Sequence, residues 1–202
     1  MNKKLMIGSL ALSLGLVSAG SGAMAASASV GSTTAIKTVA VASVPGKEGP
    51  ATINNLTVKS IISLVVHAKK LYIYSNHGGN DYKPETFQYK GTEYRYISSD
   101  IGTKQKLMNY IKRAYTSNAA AFYVQTQYLE QNGRLAQVNT DLGNSLVYEK
   151  ATARMVSKNA TAAVFELTVP QQEGQGGSEV VTVKLKKVSG FWRIDMSPDT
   201  LF

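Results

Sequence analysis

Apolar residues recur at helical spacing through the first half of the chain and alternate with polar ones through the second. From about Leu56 to Tyr74, Val58, Ile61, Ile62, Val65, Ala68 and Leu71 line up as a buried helix surface. Lys59, Ser60, Ser63, His67 and Lys70 form the complementary wet stripe. Asn54 or Asn55 is placed to cap this helix, and the loop chemistry of Asn76–Asp81 ends it. Leu107, Ile111, Ala114 and Tyr115 carry a helical period into a second helix capped by Thr103; a third is predicted from Ser117 through Phe122 towards Thr126. The period then changes. Ala163, Phe165, Leu167 and Val169 alternate with Val164, Glu166 and Thr168 in a strand that Pro170 ends, and an earlier strand runs over Ala151–Ser157. Val181, Val183 and Leu185 oppose Thr182, Lys184 and Lys186, and Trp192 and Ile194 point inward from Phe191–Asp195. The pattern predicts an α+β fold: about three N-terminal helices packed on a C-terminal antiparallel β-meander with one wet, basic face, in a single domain.

Two short hairpins stand between these blocks. Phe87–Tyr89 and Tyr94–Tyr96 flank Lys90-Gly91-Thr92, and strands on either side of Asn132-Gly133 flank a dipeptide suited to the positive φ of a tight turn. Gln137–Ser145 follows the second hairpin as a polar loop with a single acid, Asp141, at its centre. The functional reading rests on that loop.

Charge and processing signals change the picture. Lys3-Lys4, the apolar run Leu5–Val17 and Ala23-Met24-Ala25 form the three parts of a secretory signal, so residues 1–25 are expected to be a leader. The run is too short for a comfortable membrane span, and no cysteine follows it that could carry a lipid anchor. Residues 26–52, rich in Ala, Ser, Thr and Val with Pro45 and Pro50, read as a flexible linker before a domain over 53–202. Net charge is +9, and removing Lys3 and Lys4 leaves +7. That excess suits contact with an anionic cell-wall polymer, as it also suits plain solubility. With no cysteine in the chain, disulfides and thiol catalysis are excluded.

Catalytic signatures are missing. The chain has no G-x-S-x-G elbow, P-loop, H-E-x-x-H or dinucleotide fingerprint, and neither His67 nor His77 has ligands at metal spacing. The expectation is a protein that is not an enzyme, with no cofactor and no metal. Its basic residues are dispersed, which with export argues against nucleic acid as partner. The eleven tyrosines are expected at the rim of a core, hydroxyls in water, rather than as a sugar-stacking surface.

A set of short motifs, in order and spacing, then points further. Tyr94-Arg95-Tyr96-Ile97, Thr103–Leu107, Asn132–Gln137, Asp141–Leu146 and Gly190–Ile194 together resemble the secreted inhibitors of cell-wall D,L-endopeptidases, the IseA family of Gram-positive bacteria. The resemblance spans Thr86–Trp192, about half the chain. It implies a monomeric, non-enzymatic protein, secreted and wall-associated. Its implied partner is an NlpC/P60-type endopeptidase, a peptidoglycan hydrolase acting in autolysis and cell separation. In that family a mobile acidic loop is thought to enter a positively charged active-site cleft. The matching loop here carries Val138, Asn139, Thr140, Asp141, Leu142, Gly143 and Asn144. Thr140 and Leu142 flank the acid where relatives can have glycines, leaving Gly143 as the permissive joint.

An isolated acid in a basic protein steers a basic patch of a partner to one place. Asp in Thr-Asp-Leu-Gly also commonly closes an Asx-turn or caps a helical turn, and both roles stand open. Two other readings compete: a binding module whose helices and sheet enclose a cystatin-like or NTF2-like pocket, and a basic protein held by wall polymer. A deep pocket walled by Tyr and Phe would favour the first.

Overall fold

Thr57 begins the first helix, α1 (Val58–Asn76), with a reciprocal capping box. Its hydroxyl accepts from the Ser60 amide at 3.1 Å, while the Ser60 hydroxyl accepts from the Thr57 amide at 2.8 Å. The expected caps, Asn54 and Asn55, lie outside the helix; serine in place of the usual Glu or Gln three residues on hides the box in the sequence. Ile61, Leu64, Val65, Ala68, Leu71 and Tyr72 form the buried face. Val58, expected inside, is 46% exposed, since the first residue of the helix projects beyond the core. The computed structural model describes residues 51–80, 85–139, 144–173 and 176–202.

The strand β1 (Thr86–Tyr89) turns through Lys90-Gly91 into β2 (Thr92–Tyr96). Helices α2 (Lys104–Ile111) and α3 (Ser117–Gln127) follow, capped by the hydroxyls of Thr103 and Thr116. Helix α2 stops four residues short of Tyr115 because residues 114–116 straighten to pair with the last strand: the Ile194 amide donates to the Ala114 carbonyl and the Thr116 amide to the Ile194 carbonyl, both at 2.9 Å. Next come β3 (Leu129–Gln131) and β4 (Arg134–Val138), joined by Asn132 and Gly133 at φ 52° and 71°, the left-handed pair their turn requires.

The two predicted hairpins merge. Tyr94, Arg95 and Tyr96 of β2 pair with Val138, Gln137 and Ala136 of β4, giving a four-stranded antiparallel sheet of order β1-β2-β4-β3. The second sheet is the meander β5 (Thr152–Lys158), β6 (Ala162–Pro170), β7 (Ser178–Val188) and β8 (Phe191–Ile194), paired in chain order. Its inner face follows the predicted alternation: Ala163, Phe165, Leu167, Val169, Val183, Leu185, Trp192 and Ile194 are all buried. Helix α1 lies against β5 and the short 3₁₀ turn Tyr148–Lys150.

Tyrosine fills much of the core rather than its rim. Tyr72, Tyr115, Tyr123 and Tyr148 are at most 4% exposed, so the expected wet hydroxyls hold only for half-buried residues such as Tyr94 and Tyr110. The hydroxyls of Tyr123, Tyr128 and Tyr148 find protein partners inside, while that of Tyr115 is enclosed without one among the described residues. That of Tyr123 donates to Asn76 Oδ1 at 2.9 Å and lies 3.2 Å from Ser75 Oγ and 3.1 Å from the Tyr128 hydroxyl. Burial, foremost, raises both phenols, that of Tyr128 to about 12, and keeps them neutral donors. The Asn76 carbonyl accepts from the Arg95 guanidinium and the Gln137 amide. One buried residue thus ties the end of α1 to α3, β2 and β4.

Tyr123→Phe removes the central hydroxyl while keeping the ring. It should lower unfolding free energy by about 1–3 kcal/mol, the cost of leaving the buried Asn76 side-chain oxygen without its donor. Denaturant unfolding reads this as a lower midpoint; an unchanged midpoint would mean the network contributes nothing.

Candidate functional site

The stretch joining the two sheets is the one singled out in the sequence. Its upstream stem is narrower than expected. Gln137 belongs to β4, is 4% exposed and spends its side chain on the Asn76 carbonyl, so the loop begins only after Val138. Val138 ends the strand opposite Tyr94 with 40% of its surface exposed. Asn139 is held twice by one residue of β2: its amide donates to the Glu93 carbonyl at 3.0 Å, and its side-chain Nδ2 to Glu93 Oε2 at 2.6 Å. Thr140, Asp141, Leu142 and Gly143 lie outside the described residues.

The downstream stem returns at Asn144. Its Nδ2 donates to the Leu201 carbonyl at 3.4 Å, and its Oδ1 accepts from the Leu146 amide at 3.2 Å, a local Asx-type closure. The Gln172 amide donates to the Ser145 carbonyl and the Val147 amide to the Pro170 carbonyl, each at 2.8 Å. Lys69 of α1 reaches across to the Leu146 carbonyl at 2.6 Å and lies over the Tyr148 ring. The Tyr148 hydroxyl, pushed up to about 12 by burial and then the Glu179 charge against a hydrogen bond from Asn144, donates to the Leu201 carbonyl. Each stem is therefore fixed to a different sheet: Asn139 to the first, Ser145–Val147 to the end of the second.

Of the predicted site residues, Val138, Asn139 and Asn144 are placed on these stems. Sequence reasoning missed Glu93, an exposed carboxylate at the base of the loop. Only the β2–β4 pairing brings it there, and no local signal in the sequence announces that pairing.

Elsewhere, a groove of about 580 Å³ runs between Ser98–Thr103 and Arg134, walled by Asn80, Ile97, Asp100 and Lys106, with no tyrosine or phenylalanine in it. Asp100 is the most hydrogen-bonded acid there. Its slight burial raises its pKa, but donation from Ser98, Tyr74 and the Asn80 backbone outweighs this and sets it below the usual carboxylate range. Among the described residues no three His, Asp or Glu side chains gather as a metal site, and no helix is long and apolar enough to cross a membrane. His67 is less solvated than its place on the wet stripe implied: it is half-buried, with Nε2 enclosed and unpartnered among the described residues.

The two sheets of this α+β protein are thus joined through a stretch whose two stems are separately anchored. Residues 52–199 match the model of the IseA DL-endopeptidase inhibitor family, and the chain belongs to that family. It is also similar to a Bacillus subtilis (strain 168) protein described as the uncharacterized protein YoeB, with 28% identity over 154 residues, covering 71% of this chain and 83% of that one.

Lys69→Met should loosen the downstream stem, since hydrogen bonds to charged groups contribute about 1.5–3 kcal/mol and this one is only partly buried. Limited proteolysis should cut faster between residues 139 and 147 in the variant. Equal cleavage rates would show that Lys69 does not hold the stem.

Proposed function

We propose that this chain is an exported inhibitor of NlpC/P60-type endopeptidases, acting through the loop between its two sheets. Membership of an endopeptidase-inhibitor family supplies the activity class. The observation that carries the loop reading is the double anchoring of its stems, to Glu93 on one side and to Leu201, Gln172 and Lys69 on the other. Such stems spare the tip much of the ordering cost that a free loop pays on entering a cleft.

In sequence Asp141 is the acid between the two stems, and Glu93 adds a second carboxylate at the upstream one. In a chain of net charge +9 these make a local negative spot suited to a basic cleft. A loop seated in the cleft covers the catalytic thiol without placing a scissile peptide in register. The leader and basic balance support action outside the cell, in or near the wall, in control of autolysis and cell separation. The pocketed binding-module alternative has less support, because the tyrosines that would line a pocket are spent on the core.

The test is inhibition of peptidoglycan clearing by an NlpC/P60 endopeptidase. The mature protein should slow clearing at equimolar ratio, and Asp141→Lys should raise the inhibition constant at least tenfold with unfolding unchanged. An inhibition constant unaltered by Asp141→Lys would remove the loop from the mechanism; no slowing by the unaltered protein would remove the endopeptidase.

A further inference from the structure

Cations gather at one edge of the second sheet, and among the described residues none of them forms an ion pair. Lys186 of β7 lies directly opposite Arg193 of β8, a like-charge pairing that destabilises an antiparallel ladder. On the other side of β8, Tyr115 pairs in parallel with Ile194, so Arg113 and Arg193 each immediately precede a residue of that backbone junction. The guanidinium groups of Arg113 and Arg193 lie over the rings of Tyr110 and Phe191, 5.4 Å and 5.7 Å from the centroids, which holds them as planar forks. The row continues onto α1, where Lys70 and His67 line a groove of about 380 Å³ with Ile62, Ser63, Val66 and Glu149.

Two acids lie near this row, and neither forms an ion pair with it. Asp195 accepts from the Thr116 hydroxyl at 2.6 Å, and the charge of Glu149 acts on Lys69. Other cations of the molecule do have partners: Arg134 meets Glu85 at 2.8 Å, Lys150 meets Glu173 at 3.4 Å, and Arg154 meets Glu166. The strain of the row registers on His67. Burial first, then Arg113, Lys70 and Arg193, hold its imidazole below the ordinary histidine range, and no acid counters them.

We infer that Lys186, Arg193, Arg113 and Lys70 form a track for a linear polyanion, a chain of phosphodiester-linked polyol of the kind cell walls carry. Charge complementarity selects an anion, because repulsion within the row is relieved only when negative charge lies along it. The arrangement selects a polymer. Lys186 and Arg193 stand on neighbouring strands, about 4.8 Å apart, and Arg113 and Lys70 follow on the adjoining segments, so the row offers several charges in succession, which suits a chain with one phosphate per repeat better than a single bound ion. Arginine forks recognise phosphate oxygens in pairs. The inference stands apart from the inhibitory-loop reading and uses none of its residues.

The mature full chain is titrated onto immobilised poly(glycerol phosphate) at increasing salt, beside phosphatidylglycerol vesicles. Binding should fall linearly on a log–log plot of affinity against salt. Lys70→Gln with Arg113→Gln, both exposed, should weaken it at least tenfold at low salt and reduce the slope by about 1.4, the release expected for two lost contacts. Lys186→Gln, exposed in the same row, should act in the same direction. A control pair, Lys59→Gln with Lys104→Gln, removes equal charge away from the row and should weaken binding less than threefold. Equal loss in the control pair would overturn the track in favour of net charge. Tighter binding to the vesicles than to the polymer, or no binding to the polymer, would overturn its assignment.

Discussion

The carbonyl that ends α1 is where the molecule is fastened together. A helix C-terminus leaves carbonyls unsatisfied and carries partial negative charge, so a cation and a second donor are the natural complements. Arg95 and Gln137 supply both to the Asn76 carbonyl, and they are direct partners across the β2–β4 ladder. The first sheet is therefore pinned to the helix at the one register that brings these two side chains together. A slip of one residue would turn both away from Asn76 and expose the row that faces the core. Tyr123 closes the arrangement from α3 by taking up the Asn76 side-chain oxygen.

That fastening sets the position of the loop. Gln137 lies two residues before Asn139, and Glu93, which holds Asn139, lies two before Arg95. The residues locked to α1 and the residues that launch the loop thus belong to the same two strands, a rise of about 7 Å apart. Rigidity at the buried end is transmitted directly to the exposed end. The return stem answers to the second sheet and the C-terminal residues, where Tyr148, Leu201 and Phe202 pack together. A connection between independently anchored sheets is a place where sequence can change without disturbing either core.

How much of this could be read in the sequence depends on how local the cause is. The meander was legible because alternation within β6 and β7 is strict, and the dipeptides Lys90-Gly91, Asn132-Gly133 and Ser189-Gly190 announce turns by their need for positive φ. Cause and effect there lie within a few residues. The union of the two hairpins was not legible, since it depends on β2 meeting β4 some forty residues later. With it went the burial of Gln137, read as loop because glutamine is polar, and the role of Glu93, read as one acid among many. The tyrosines misled for a related reason: a phenol reads as amphipathic, but Ser75, Asn76 and the Leu201 carbonyl meet the hydroxyls inside. Of the candidate loop, the stems could be checked against neighbours, while the choice of Asp141 rests on its being the acid between them.

Under the proposed mechanism, inserting a loop into a cleft carries an entropy cost, and the stems bear on its size. Ordering a flexible residue costs roughly 1–2 kcal/mol of backbone freedom, so a tip of a few residues can consume several kcal/mol of whatever its contacts supply. Asn139 and Asn144 already have their side chains committed to Glu93 and to Leu201 and Leu146, which removes their share before any partner arrives.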